Sequence, residues 1–221
     1  MMSARVTAAA RALACVCACA SSVACAGLGH RVDRALLAQV PNEELLLLFD
    51  AENAVYIARD EADLATRNLE DARKALKRAH AYQELIGVRR KSGAAIDSAE
   101  VLQLLEQWND ARIDMRDKEV TLREEELRTS DVRLWAARAR YEHAKAKLVK
   151  DFNPVGGADI DLADFDTQVK EWEAKEQEVL NGLKERENAM LSAREAYIAL
   201  AVQLQQVSKG AYGGPWADLL D

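Results

Sequence analysis

Apolar residues recur every seven positions between Asp50 and Ile86, and this periodicity constrains the fold more than any other feature of the chain. One row contains Leu48, Val55, Ala62, Leu69 and Leu76, and a second contains Ala51, Ala58, Ala65, Ala72, Ala79 and Ile86. Two such rows, three and four residues apart, lie side by side on one helix face, as in a coiled coil. Because the second row is almost wholly alanine, we expect it to admit a close partner helix or a large partner side chain.

Similar patterns continue along the chain and predict three long helices, at about 43–91, 97–152 and 161–209, in a bundle spanning residues 42–210. Asn42 is the expected N-cap of the first helix, and Asp97 begins a capping-box sequence before the second. Pro154 and the two glycines that follow Val155 end the second helix. Near-equal helices joined by short turns pack as antiparallel neighbours. The predicted fold class is therefore all-α, an elongated antiparallel three-helix bundle or coiled coil.

The turns also predict which levels of the helices meet. Residue numbers paired across the first turn should sum to about 190, so Trp108 should lie near Tyr82. Across the second turn they should sum to about 312, so Leu134 should lie near Val179. We expect the alanine row of the first helix to face the bulky, aromatic row of the third, because small residues opposite large ones fill space best.

Two segments of the bundle carry further packing expectations. A companion apolar row on the second helix turns polar between Arg116 and Asp131, so we expect the weakest packing there. Residues 45–49 form an apolar run next to Glu44 and Asp50. The favoured interpretation is that this run buries the first turns of the bundle against two neighbours, and the alternative is contact with a membrane surface.

The segment 1–25 has the composition of an export signal. A lead with Arg5 and Arg11 precedes an uncharged, small and apolar segment, residues 12–24. That apolar segment is too short to span a bilayer, which takes about 20 helical residues. The four cysteines lie at positions 15, 17, 19 and 25, so a chain cut at Cys25 keeps at most one sulfur and cannot form an internal disulfide.

The sequence Ser22-Val23-Ala24-Cys25 resembles the lipobox of bacterial lipoprotein precursors. The resemblance extends no further than Cys25, and Ser22 stands where that class prefers leucine. It implies that Cys25 becomes the diacylated first residue of the mature chain, anchored in the outer membrane if the envelope is Gram-negative. Two alternatives stay open: an ordinary signal peptide cut after Ala26, and a chain that is not cleaved.

Residues 26–41 and 211–221 flank the bundle. The first segment is interpreted as a tether that either docks on the bundle or stays loose. The second is a tail built around a Gly-Gly-Pro hinge.

The sequence contains little that predicts chemistry. The net charge of −7 argues against nucleic-acid binding. His30, His80 and His143 are dispersed, and the acids between Asp159 and Asp166 suit a helix N-terminus better than a calcium site. We therefore predict no catalytic residue, no metal ligand and no cofactor, and we do not expect an enzyme.

Two features are candidate protein-binding sites. Trp135 lies one position off the main apolar row and is either buried between helices or a partner anchor. The tail residues Tyr212, Trp216, Leu219 and Leu220 resemble a short peptide ligand, unless they fold back and cover the bundle end.

These observations favour an exported envelope protein that faces the periplasm and acts as a lipid-anchored spacer, scaffold or partner-binding rod. One alternative is a periplasmic holdase chaperone, which requires an exposed apolar inner surface. Another is a helical-hairpin subunit of an export apparatus. The expected partners are the membrane, through a lipid on Cys25, and an unidentified protein. A homo-oligomer is compatible with every heptad.

Overall fold

A computed structural model describes residues 27–92, 98–153 and 155–212 of the chain. Its helices are α1 (Arg34–Leu37), a 3₁₀ helix (Glu44–Leu48), α2 (Phe49–Ser92), α3 (Ala99–Phe152) and α4 (Leu162–Val207). No strand occurs among these residues. The three long helices pack as an antiparallel bundle, which confirms the predicted all-α fold class.

The helix ends follow from local capping. The hydroxyl oxygen of Ser98 accepts a hydrogen bond from the backbone N–H of Val101, so α3 begins two residues later than predicted. The carboxylate of Asp161 accepts from the N–H of Ala163 and caps α4. At the other end of α4, Lys209 and Gly210 have positive φ angles and stop the helix.

The start of the first long helix differs from the expectation. A 3₁₀ turn covers residues 44–48, and the α-helix begins only at Phe49. Leu48 is buried, whereas Leu46, Leu47 and Phe49 are each at least 65% exposed. The favoured interpretation is confirmed only in part: Leu45 and Leu48 pack in a cluster with the N-terminal segment, α3 and the start of α4, while the other three side chains of the run are exposed.

The central helix α3 packs against both α2 and α4, whereas the backbones of α2 and α4 do not approach each other closely in the described part of the chain. The bundle is thus an open layer with α3 in the middle. This overturns the prediction that the alanine row faces the third helix. The row packs on α3 instead: Ala79 is fully buried, and its carbonyl accepts a hydrogen bond of 3.3 Å from the side-chain amide of Asn109.

The predicted level across the first turn is confirmed. The rings of Tyr82 and Trp108 lie edge to face with their centroids 6.0 Å apart. Across the second turn, ion pairs join Arg133 to Glu176 and Arg140 to Glu173, within one helical turn of the predicted level. The apolar partner of Val179 differs, because the cluster around it contains Val132 and not Leu134.

The middle of the α3–α4 contact is polar, as the sequence predicts. Between Val179 and Ala193, α4 contributes no buried apolar residue among those described. On α3, at the corresponding level, Arg116 pairs with Glu119 at 2.6 Å and Arg123 with Glu126 at 2.7 Å. Ion pairs within one helix replace apolar contact there, so the bundle is held mainly by clusters on either side.

Candidate functional site

The N-terminal segment, residues 27–33, is held against the side of α3 and α4. The N–H of His30 donates to Oε1 of Gln168 at 2.8 Å, and Nε2 of Gln168 donates back to the carbonyl of His30 at 3.2 Å. Gln168 is only 5% exposed. The backbone of the segment provides a partner for both the oxygen and the nitrogen of this buried side-chain amide. A buried side chain therefore fixes the position of this segment.

A second contact strengthens the attachment. The N–H of Val32 donates to Glu142 of α3 at 2.9 Å, and Glu142 also pairs with Lys145 at 2.7 Å. The side chain of Val32 is buried, and the ring of His30 lies 5.7 Å from that of Phe165. The tether predicted from the sequence is thus docked along these residues and does not hang free.

Two tryptophans lie beside the point where the segment begins. The rings of Trp135 and Trp172 are stacked, with centroids 5.8 Å apart and planes 20° from parallel. Arg138 lies 4.8 Å above Trp135, and the ammonium of Lys175 lies 4.1 Å above Trp172. Such cation–π contacts stabilise aromatic rings, here the buried ring of Trp172 and the half-buried ring of Trp135. Gly27 lines a shallow cavity of about 280 Å³ together with Trp172 and Lys175.

The predicted binding residues are distributed over different parts of the molecule. Trp135 is half-buried against Trp172. Tyr212 lies at the opposite end, where its hydroxyl accepts a 3.0 Å hydrogen bond from Arg89 and its backbone N–H donates to Ser208. That packing ties the ends of α2 and α4 together. Cys25, Trp216, Leu219 and Leu220 lie outside the described residues.

Sequence inspection missed Gln168 and Glu142 as the residues that hold the N-terminal segment. Nothing in the sequence distinguishes them from other polar residues on long helices, because their partners are backbone groups more than one hundred positions away. It also missed the exposed apolar residues of α2. The sequence does contain a signal for these exposed residues, because Ile57, Leu64 and Leu85 all fall on the same heptad position.

No three His, Cys, Asp or Glu residues in the described ranges are arranged to hold a metal ion. Burial raises the pKa of Asp131, and burial followed by the negative charge of Glu52 raises the pKa of Tyr141. A hydrogen bond from Lys74 lowers the pKa of Asp71 at the surface.

None of the helices within the described ranges combines the length and apolar character needed to cross a bilayer. No protein family model matches the chain, and it matches no curated protein and no solved structure.

The docked segment makes a direct prediction. Replacing Gln168 with alanine removes both hydrogen bonds to His30, so we expect residues 27–33 to detach while the long helices remain folded. Hydrogen exchange followed by mass spectrometry should show protection lost by about tenfold or more in peptides covering this segment, as expected when about 1.4 kcal/mol or more of local stability is lost.

The matched control is Gln177→Ala, because Gln177 is an exposed glutamine on the same helix. It should leave the exchange of residues 27–33 unchanged. Equal protection of this segment in the wild type and in Gln168→Ala would contradict the assigned role of the buried amide.

Proposed function

We propose that this chain is a non-enzymatic, exported envelope protein, anchored by a lipid on Cys25, in which the helical bundle serves as a rigid scaffold for another protein. The observation that carries the proposal is the sequence of the segment 1–25: a basic lead, a short apolar stretch, and the lipobox-like Ser22-Val23-Ala24-Cys25. The competing cleavage after Ala26 would release a soluble form of the same scaffold.

The docked N-terminal segment supports a role for the lipid anchor in holding the bundle at a fixed position on the membrane. An anchor attached through a loose tether would let the bundle rotate freely, whereas hydrogen bonds from the backbone N–H groups of His30 and Val32 to Gln168 and Glu142 fix the segment only a few residues after Cys25. Because the backbone spans at most about 3.6 Å per residue, Gly27 can lie only about 7 Å from Cys25. A lipid there would hold the bundle close to the membrane and restrict its orientation.

The membrane affinity of such an anchor follows from its chemistry. One acyl chain gives only marginal binding, but a lipoprotein amino terminus carries more than one chain and binds stably. The bundle then needs no membrane-spanning helix of its own. The exposed residues Leu46, Leu47 and Phe49 give the scaffold an apolar surface that is available to a partner.

The shape supports a scaffold over a client-clasping chaperone. A holdase needs an apolar inner surface between its arms, whereas the alanine row of α2 and the main apolar residues of α4 are buried against α3. The middle of the α3–α4 contact carries ion pairs at the surface of α3, which does not suit the binding of an unfolded client.

Mass spectrometry of the mature amino terminus tests the proposal, with the full-length gene expressed in a bacterium that has the lipoprotein pathway. We expect a diacylated Cys25 as the first residue and membrane-fraction recovery of the chain. Cys25→Ser should abolish both results, and the matched control Cys19→Ser should preserve them. A mature chain that begins at Gly27 would contradict anchoring, and an intact Met1 would contradict export.

A further inference from the structure

We propose that an exposed flank of α2 is a self-association surface, at which the same flank of a second copy of this chain binds in antiparallel orientation. The flank is a row of residues seven apart, called here the α2 stripe: Leu64, Asp71, Arg78 and Leu85. Leu64 and Leu85 are 52% and 58% exposed, and the side chain of Asp71 is 75% exposed. Arg78 is exposed as well. The proposal does not depend on export or lipidation.

No helix backbone packs closely on the α2 stripe among the described residues, although Leu64 borders an open groove that Leu183 of α4 also lines. Within those residues, α2 packs on α3, and its backbone does not come close to that of α4. Most of the large apolar side chains that are exposed belong to the 3₁₀ helix and α2, while α4 exposes two, Leu191 and Val202. Exposed apolar residues concentrated on one helix indicate an interaction surface more than scattered ones do.

The order of residues in the α2 stripe makes it complementary to itself. When two copies are laid antiparallel so that paired residue numbers sum to about 149, Leu64 meets the partner's Leu85, and Asp71 meets the partner's Arg78. Two-fold symmetry repeats each contact. The interface therefore contains two apolar pairs outside and two ion pairs inside.

The other arrangements of the same stripe are unfavourable. A parallel pairing places Asp71 on Asp71 and Arg78 on Arg78. An antiparallel shift of one heptad opposes either two aspartates or two arginines at its centre. Like charges directly opposed across a helical interface disfavour that pairing, so the charges select one orientation and one register.

Neighbouring residues are compatible with this register. Val88 is 63% exposed and lies one turn beyond Leu85, so the partner's Leu64 packs between the two. Lys74 lies beside the two-fold axis and is already paired with Asp71 at 2.9 Å, so Asp71 would be shared between Lys74 and the partner's Arg78. A single helix face is a small interface, and we expect a weak, reversible dimer.

Sedimentation equilibrium of the full-length chain under reducing conditions tests the proposal over about 1 to 300 µM, a range suited to a weak interface. The reductant prevents disulfides between the N-terminal cysteines. We expect the 24.5 kDa chain to reach twice its mass.

Two charge-reversal variants test the register. Asp71→Arg and Arg78→Asp each create two like-charge contacts across the interface and should weaken the dimer by about tenfold. Combining the two restores opposite charges and should recover the wild-type association constant to within about threefold.

The matched controls are Glu187→Arg and Arg186→Asp, which make the same changes of net charge at exposed positions of α4 and should leave dimerisation unchanged. Circular dichroism verifies that every variant keeps its helices. A chain that stays monomeric throughout the range overturns the proposal, and so does a double variant as weak as the single variants. Dimers that are insensitive to both single substitutions would also overturn it.

Discussion

Replacing Trp108 with alanine is expected to lower the free energy of unfolding by about 3–5 kcal/mol, measured by urea denaturation. Trp108 is 5% exposed and is packed between Tyr82 of α2 and Tyr197 of α4, with ring centroids 6.0 and 5.8 Å away. The guanidinium of Arg112 lies 5.6 Å from the same ring. Because the backbones of α2 and α4 do not approach each other closely within the described ranges, this side chain links the α2–α3 contact to the α3–α4 contact.

Phe49→Ala is the control, because it also removes a large aromatic side chain, but one that is 65% exposed. Its cost should stay within about 0.5 kcal/mol. Trp108→Phe keeps an aromatic ring in the same cluster and should lose less than the alanine variant. A cost below about 1 kcal/mol for Trp108→Ala would mean that the ring does not hold the bundle together.

Replacing Ala79 with leucine is expected to destabilise the protein by about 1–3 kcal/mol through overpacking. Ala79 is fully buried, and Asn109 of α3 lies close enough to donate to its carbonyl oxygen at 3.3 Å. Three further carbon atoms would force the helices apart and break that hydrogen bond. The buried amide of Asn109 would then lose its partner, which places the cost at the upper end of the range.

The comparison variant is Ala81→Leu, because Ala81 is exposed on the same helix. Leucine and alanine have similar helix propensities, so this substitution should change stability by less than about 0.5 kcal/mol. Equal effects of Ala79→Leu and Ala81→Leu would contradict the packing of the alanine row on α3.

The periodicity predicted the fold class, the antiparallel order and the level at which Tyr82 meets Trp108. These features depend on spacing alone: apolar rows repeated every seven residues must be buried along their length, and short turns set which residues are level with each other. The polar middle of α3 was equally predictable, because Arg116 and Arg123 interrupt an apolar row in the sequence itself.

The facing of the alanine row was not predictable from spacing. Small residues leave room for either the backbone of a closely packed helix or a large side chain of a partner. The pattern of aromatic residues on the third helix favoured a large side chain. In the structure, α3 packs closely against the alanine row, and the carbonyl oxygen of Ala79 accepts a hydrogen bond from the side-chain amide of Asn109. Which neighbour a helix face meets depends on the angle between the outer helices, and heptad spacing contains no information on that angle.

The sequence predicted some features of the candidate sites, and others depend on the tertiary structure. The sequence alone determined that the long helices must bury apolar rows lengthwise, because burial of apolar surface favours any arrangement that removes those rows from water. It also supplied the signal-like segment 1–25, on which the export hypothesis depends. Only the tertiary structure decided that the N-terminal segment docks through Gln168, that Trp135 stacks on Trp172, and that α2 keeps one side exposed. Each of these depends on groups distant in sequence meeting in space, and a linear pattern does not encode such meetings.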